Sequence, residues 1–118
     1  MKNCNKAPRS NVVVMLLGLV AFFGATGCVS VTEMTPEGKQ VREISESESN
    51  KCQFLRSISA NNTNTLSKDP RADARARAVN EVAAVGGNAL RIINTSTDVA
   101  PSGVGSVFSL TGEAYKCN

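Results

Sequence analysis

Apolar residues form one long block near the start of the chain and short, spaced segments after it. The block, Val12–Phe23, holds twelve residues and no charge, between a basic lead and a run of small residues. That order is typical of a secretory signal peptide. A transmembrane helix needs about 20 apolar residues, so the block is too short to span a bilayer. The pattern predicts export, with residues 1–27 as the signal.

Three later segments alternate between apolar and polar positions with the period of a β-strand. They are Cys52–Ala60, Ala89–Asn94 and the longest, Ser106–Cys117. Proline and glycine recur in Thr95–Gly105, which is therefore expected to be a loop. Within the last strand, Gly112 predicts a bulge that redirects the second half.

One helix is predicted between the first two strands. Asp69 suits the N-cap, and Pro70 suits the first helical position, where its missing N–H is not needed. Gly86-Gly87-Asn88 favours the helix end. Small side chains at helical spacing predict a narrow stripe that lies close on a sheet. The stripe consists of Ala72, Ala76, Val79 and Ala83.

A strand–helix–strand order favours two parallel strands joined by a right-handed crossover. The last strand then returns between them, antiparallel to both. The sequence therefore predicts an α+β domain over residues 51–118, with a mixed sheet of three to four strands and one helix on one face. A short edge strand is possible within residues 39–45. Glutamate and serine dominate residues 28–50, which are expected to form a flexible, solvated tether.

Composition narrows the candidate chemistry. The chain has no His and no Trp, which excludes Ser-His-Asp and Cys-His sites and the usual zinc ligand sets. No close carboxylate pair stands in an apolar setting, so neither an enzyme nor a cofactor is expected. Three of the 13 basic residues leave with the signal, and the remainder balances the 10 acidic ones. The mature chain is formally neutral, and nucleic-acid binding gains no support.

The cysteines differ in their expected fates. Cys4 lies in the signal and is discarded. Cys52 and Cys117 are the pair left in the exported domain, where export permits a disulfide. The crossover topology brings them to matching ends of neighbouring strands. A metal pair or a redox dithiol are the alternatives, although either favours closer spacing or further ligands.

The segment Ala25-Thr26-Gly27-Cys28 resembles the lipobox of bacterial lipoproteins, in which small residues precede an acceptor cysteine. The resemblance implies a diacylglycerol thioether on Cys28, cleavage before it and acylation of the new amino terminus. One position departs from the usual lipobox, because Leu is the commonest residue where Ala25 stands. The alternative is cleavage by the ordinary signal peptidase, which would leave a free thiol on Cys28. Val29 is not the aspartate that retains lipoproteins at the inner membrane. The resemblance therefore implies an outer-membrane anchor that faces the periplasm, with the cell surface as the alternative.

The charged residues of the predicted helix suggest one binding surface. Arg71 and Arg75 share a turn face with Lys68 nearby, while Arg77 is expected to pair with Asp73, four residues earlier. The basic end suits lipid headgroups, lipopolysaccharide or peptidoglycan carboxylates. The plainer interpretation is a soluble helix face.

Several local sequences resemble an uncharacterised bacterial lipoprotein family, the domain of unknown function numbered forty-one fifty-six. They are KCQFL at the start of a strand, VAAVGGNALRII at the end of the helix, and the closing LTGEAYKC. The resemblance covers about residues 51–118. More distantly, the layout is similar to the outer-membrane sensor lipoprotein of the Rcs phosphorelay, which uses two disulfides.

Three functions remain as hypotheses. The first is an outer-membrane-anchored lipoprotein with a small, non-catalytic periplasmic domain that binds an unidentified envelope protein or cell-wall component. The second is an envelope stress sensor or regulator of the phosphorelay type. The third, an enzyme, lacks any convergent reactive set of side chains.

Overall fold

The structure is a computed structural model that describes residues 32–118. The predicted signal peptide and Cys28 lie outside the described residues. Within residues 32–118, no helix is both long enough and apolar enough to cross a bilayer. The elements, in chain order, are a 3₁₀ turn (Gly38–Gln40), β1 (Arg42–Glu43), α1 (Glu46–Ser49), β2 (Gln53–Asn61), α2 (Pro70–Ala84), β3 (Ala89–Val99) and β4 (Ser106–Lys116).

The four strands form one mixed sheet in the order β1-β3-β4-β2. β4 is antiparallel to both β2 and β3, which therefore run parallel to each other on either side of it. α2 connects these two strands and packs on one face of the sheet. The α+β class, the central position of the last strand and the single main helix are confirmed.

The core lies between α2 and the sheet. Ile58, Leu90 and Leu110 project from three neighbouring strands and are at most 2% exposed. They form one cluster with small side chains of α2. The alanine side chains are short, so the helix can lie close to the sheet. Gly87, after the helix, is equally tight: a Cβ there would lie 2.8 Å from Cγ1 of Val82.

The predicted helix stripe needs correction. Ala76 and Val79 are buried as expected, but Ala72 is exposed and Ala83 is only half-buried. The small residues in the main core cluster are instead Ala74, Ala78, Val79 and Val82. A single apolar stripe assumes one packing partner, whereas α2 packs against both the sheet and the 3₁₀ turn.

The second partner of α2 is the N-terminal strap, which we define as residues 32–40. Asn80, in the middle of the helix, accepts from the backbone N of Thr35 at 2.8 Å and donates to the carbonyl of Glu33 at 2.8 Å. Gly38 is buried against the same side chain, where a Cβ would lie 2.4 Å from Oδ1 of Asn80. The strap therefore follows α2 towards its C-terminal end.

The rest of the expected tether is also folded. β1 pairs in parallel with the start of β3, with Arg42 opposite Ala89. Ser45 and Glu48 then form a capping box that begins α1, in which each side chain accepts from the other's backbone N–H. Residues 32–50 are thus part of the domain, and the short edge strand belongs to its sheet. Residues 28–31 of the tether lie outside the described residues.

β3 is longer than predicted. Residues from Thr95 to Val99, expected in a loop, continue the ladder opposite Leu110 to Ser106 of β4. The connecting loop is only residues 100–105. Residues 93–99 are exposed, so this part of the strand does not need alternating apolar side chains. Its polar composition therefore gave no strand signal. The bulge predicted at Gly112 is wrong. The register shifts lie in the two strands that pair with β4, between Ile92 and Asn94 of β3 and between Phe54 and Arg56 of β2.

Cys52 and Cys117 form the predicted disulfide, with 4.5 Å between their Cα atoms and a sequence separation of 65. The bridge joins the start of β2 to the end of β4. A smaller apolar cluster, containing Ile44, Ala89 and Tyr115, packs against it. The disulfide therefore closes the end of the domain opposite the β3–β4 loop.

Candidate functional site

A groove opens on the helix side of the sheet, where β3 extends beyond its neighbour. β1 pairs only with Ala89 and Leu90, so the following part of β3 is uncovered. The resulting cavity is about 240 Å³. Its floor is mainly apolar and its walls are charged, an arrangement that suits a ligand with an apolar body and an ionised group. The lining residues are Glu43, Arg71, Arg75, Ile92, Thr95, Phe108 and Leu110.

Arg71 lies over the floor of this groove. Its guanidinium carbon is 5.4 Å from the ring centroid of Phe108, which is 4% exposed. That distance is within the range of a cation–π contact. Among residues 32–118, no carboxylate lies within the 4.0 Å ion-pair distance of Arg71. The ring positions the guanidinium and leaves its N–H donors available to an anion.

Arg75, one helical turn later, is already paired. Its guanidinium approaches the carboxylate of Glu43 on β1, with Nη2 and Oε2 2.5 Å apart. Both side chains are about half exposed, so this pair contributes little to stability. It closes one wall of the groove. The groove therefore holds one neutralised arginine and one without a carboxylate partner among the described residues.

Asp73, two residues after Arg71, connects the helix to two other segments. Its carboxylate is fully buried and accepts from the backbone N of Thr32 at 2.9 Å and from the hydroxyl of Thr63 at 2.7 Å. The backbone N of Thr63 donates to the same carboxylate. Burial raises the pKa of Asp73, but the hydrogen bonds from Thr32 and Thr63 outweigh it and hold the pKa at about 2. Asp73 is thus an ionised structural residue that fixes the strap and the β2–α2 loop to the helix.

The opposite face of the sheet carries a second polar cluster. Arg91 bridges Glu46 of α1 and Glu113 of β4 at 3.3 and 3.2 Å, and the hydroxyl of Tyr115 donates to Glu113 at 2.6 Å. Burial lowers the pKa of Arg91, yet the Tyr115 hydroxyl and the two carboxylates outweigh this effect and raise it. Both carboxylates contact the guanidinium they neutralise. The cluster ties α1 to the sheet.

A second cavity of about 290 Å³ lies beside the disulfide. Arg42 and Glu48 line it and pair with each other at 3.3 Å. Hydrogen bonds from Ser45 and Arg42 lower the pKa of Glu48, so the carboxylate is held ionised in that pair. Arg42 and Glu48 neutralise each other, and no large apolar side chain lines this depression, so it is a weaker candidate than the groove.

The predicted basic surface is partly assembled. Arg71 and Arg75 come together at the groove, whereas Lys68 does not line it. The expected Asp73–Arg77 pair is wrong, because Arg77 donates to the carbonyl of Asn61 at 2.8 Å. Cys28, the predicted lipid acceptor, lies outside the described residues and stays a prediction. Residues 32–118 contain no group of three or more His, Cys, Asp or Glu side chains arranged to hold a metal.

Two contributors to the groove were not anticipated. Glu43 falls in the segment expected to form a tether, and Phe108 falls in a strand predicted only from its alternation. Glu43 and Val41 lie within residues 39–45, the part of the expected tether with a possible strand pattern. That pattern was the available signal for the wall of the groove that Glu43 forms. The contact between Arg71 and Phe108 has no signal in the local sequence.

A family model described as "Domain of unknown function (DUF4156)" matches residues 32–117. The chain belongs to this family. The match runs from the strap to Cys117, so the strap, β1 and α1 belong to the DUF4156 domain together with the main helix and the sheet. No curated protein and no solved structure matches the chain.

Proposed function

We propose that this DUF4156 protein is an outer-membrane lipoprotein, anchored through Cys28, whose domain binds an anionic envelope component without catalysing a reaction. The anchor is supported by the apolar block and the lipobox-like segment that ends at Cys28. Three acyl chains would give stable attachment, since one chain alone binds a membrane only marginally. The periplasmic location also agrees with the disulfide in the domain.

The observation that carries the binding proposal is the position of Arg71. Its guanidinium lies over Phe108 at the groove and has no carboxylate partner within ion-pair distance in residues 32–118. A guanidinium matches a carboxylate or a phosphate with two parallel hydrogen bonds. The apolar side chains of Ile92 and Leu110 beside it suit the hydrocarbon part of the same ligand. The ligand class is therefore an envelope molecule with an ionised acidic group next to an apolar one.

A binding role agrees better than catalysis with the groups in the groove. The chain has no histidine to act as a general base near neutral pH. The carboxylate in the groove, Glu43, is engaged with Arg75. A sensor of the Rcs type stays a hypothesis without a specific contact in its favour.

Site-specific photo-crosslinking in the native envelope tests this proposal. A photoreactive residue at Thr95, which lines the groove and is exposed, should give an adduct whose mass identifies an anionic envelope component. The same residue at Ser59, exposed on the other face of the sheet, should not give that adduct. Envelope extracts that yield identical adducts at both positions would contradict a groove-specific ligand.

An arginine pair provides the matched variants. Hydrogen bonds to charged groups contribute about 1.5–3 kcal/mol, so Arg71→Ala should weaken binding of the recovered component about tenfold to a hundredfold. Arg56→Ala removes another exposed arginine, which lies on the edge strand β2 and pairs with Glu81 of α2, and should leave binding unchanged. Equal losses in both variants would indicate a general charge effect and would contradict the assigned role of Arg71.

A further inference from the structure

Two loops meet at the end of the domain opposite the disulfide. The backbone N of Ser106 donates to the carbonyl of Thr65 at 2.9 Å, and that of Ala100 donates to the carbonyl of Gly105 at 3.1 Å. Gly105 has a φ of 82°, and a Cβ there would lie 2.1 Å from the Thr65 carbonyl oxygen. Only glycine permits this approach. The β2–α2 loop and the β3–β4 loop therefore form one connected surface.

Three large apolar side chains project from this surface, and we call them the apolar tip. Leu66, Val99 and Val104 are 64%, 74% and 60% exposed, the largest values for such residues in the described chain. Each is the sequence neighbour of a residue in the hydrogen-bonded junction. Single exposed apolar residues are ordinary, but a group of them at one end of a small domain marks an interaction surface. Lys68 lies exposed in the same loop as Leu66.

The N-terminal strap brings the chain to the same end. Thr32 and Thr63 share the carboxylate of Asp73, which lies in the first turn of α2. Only residues 29–31 separate Thr32 from Cys28. Four residue steps of fully extended chain span at most about 14 Å. A lipid on Cys28 would therefore hold the Thr32 end of the domain within this distance of the bilayer surface.

We infer that the apolar tip docks onto the phospholipid surface, so that the lipoprotein stands on its membrane in one fixed orientation. This inference rests on the proposed lipidation of Cys28. Leucine and valine enter the interface between headgroups and acyl chains, while a lysine beside them keeps its ammonium at the headgroups. α2 then begins near the membrane and leads away from it. Its 15 residues span about 22 Å, which carries Ala84 and the disulfide end into the periplasm.

Fluorescence quenching in vesicles tests the inference with the full-length protein, processed in cells, purified in detergent and reconstituted. The vesicles contain phosphatidylethanolamine and phosphatidylglycerol, and a nitroxide is attached to a lipid acyl chain close to the headgroup. Val104→Cys carries an environment-sensitive fluorophore at the tip, and Ala84→Cys carries it at the exposed far end of α2. We expect at least a twofold larger quenching at position 104 than at position 84. Leu66→Ser in the Val104→Cys background should reduce that quenching, whereas Ile93→Ser, at an exposed apolar residue of β3, should not.

The outcomes separate the inference from the proposal beneath it. Vesicle flotation reports the anchor: protein that does not float, or that has a free thiol at Cys28, contradicts the lipidation. Protein that floats but is quenched equally at positions 104 and 84 contradicts only the docking. Equal effects of Leu66→Ser and Ile93→Ser would likewise overturn the assignment of the tip.

Discussion

Replacing Asp73 with asparagine should destabilise the domain by about 2–4 kcal/mol and release the N-terminal strap. Folding moves the carboxyl pKa from 3.8 to about 2, which corresponds to about 2 kcal/mol at neutral pH. Both carboxylate oxygens accept from N–H donors, of Thr32 and Thr63. Asparagine keeps only one acceptor, and its amide group would face the other N–H donor. The loss therefore includes an unsatisfied buried group as well as the charge.

Urea unfolding followed by circular dichroism measures this effect, with Asp69→Asn as the matched control. Asp69 caps the same helix by accepting from the backbone N of Ala72 at 2.9 Å, and asparagine caps equally well. Its change should be within about 0.5 kcal/mol. Because the folded pKa of Asp73 is depressed, its contribution is complete above pH 3.8 and is lost as the pH falls through about 2.

The difference between wild type and Asp73→Asn should therefore shrink from pH 7 to pH 2. Hydrogen exchange at the Thr32 amide should accelerate in Asp73→Asn and not in Asp69→Asn, because only Asp73 accepts from that amide. Equal midpoints for the two variants at pH 7, or a difference that does not change with pH, would refute the structural role of Asp73.

Two further predictions concern packing and the disulfide. Ala78→Leu should lower the free energy of unfolding by about 1–3 kcal/mol, because it overpacks a fully buried position. Ala72→Leu, on the exposed side of α2, should be nearly neutral. A lower denaturant midpoint for Ala72→Leu than for Ala78→Leu would mean that α2 is rotated. Joint replacement of Cys52 and Cys117 by alanine should lower stability by about 4 kcal/mol on the chain-entropy model for a 65-residue separation. Alkylation of the native protein should find neither thiol reactive, and modification of both would contradict the bridge.

The sheet and the main helix were predictable because their signals are local. Alternation of apolar and polar residues indicated β2 and β4, and the Asp69-Pro70 pair indicated the start of α2. The glycines indicated its end, where Gly86 has a φ of 81°. The strand–helix–strand order then restricted the topology. The disulfide followed from the same argument, since Cys52 and Cys117 lie at matching ends of adjacent strands.

The strap and the groove were not predictable from local pattern. Serine and glutamate in residues 32–50 have the composition of a solvated tether, yet this segment is fixed by Asp73 and Asn80, more than 40 residues away. Asp73 and Asn80 were the available signal, because polar groups on a packed helix need partners. The contact of Arg71 with Phe108 depends on the assembled sheet and has no local signature.

The mass of the mature protein extracted from its own membrane shows whether Cys28 carries the lipid anchor. Lipidation predicts a chain of residues 28–118 that begins at Cys28 and carries a diacylglyceryl thioether and an amide-linked acyl chain. Globomycin, which blocks lipoprotein signal peptidase, should leave the diacylglyceryl precursor, and Cys28→Ser should abolish the lipid. A soluble periplasmic form with an unmodified Cys28 thiol, produced equally with and without globomycin, would rule out a lipid anchor at Cys28.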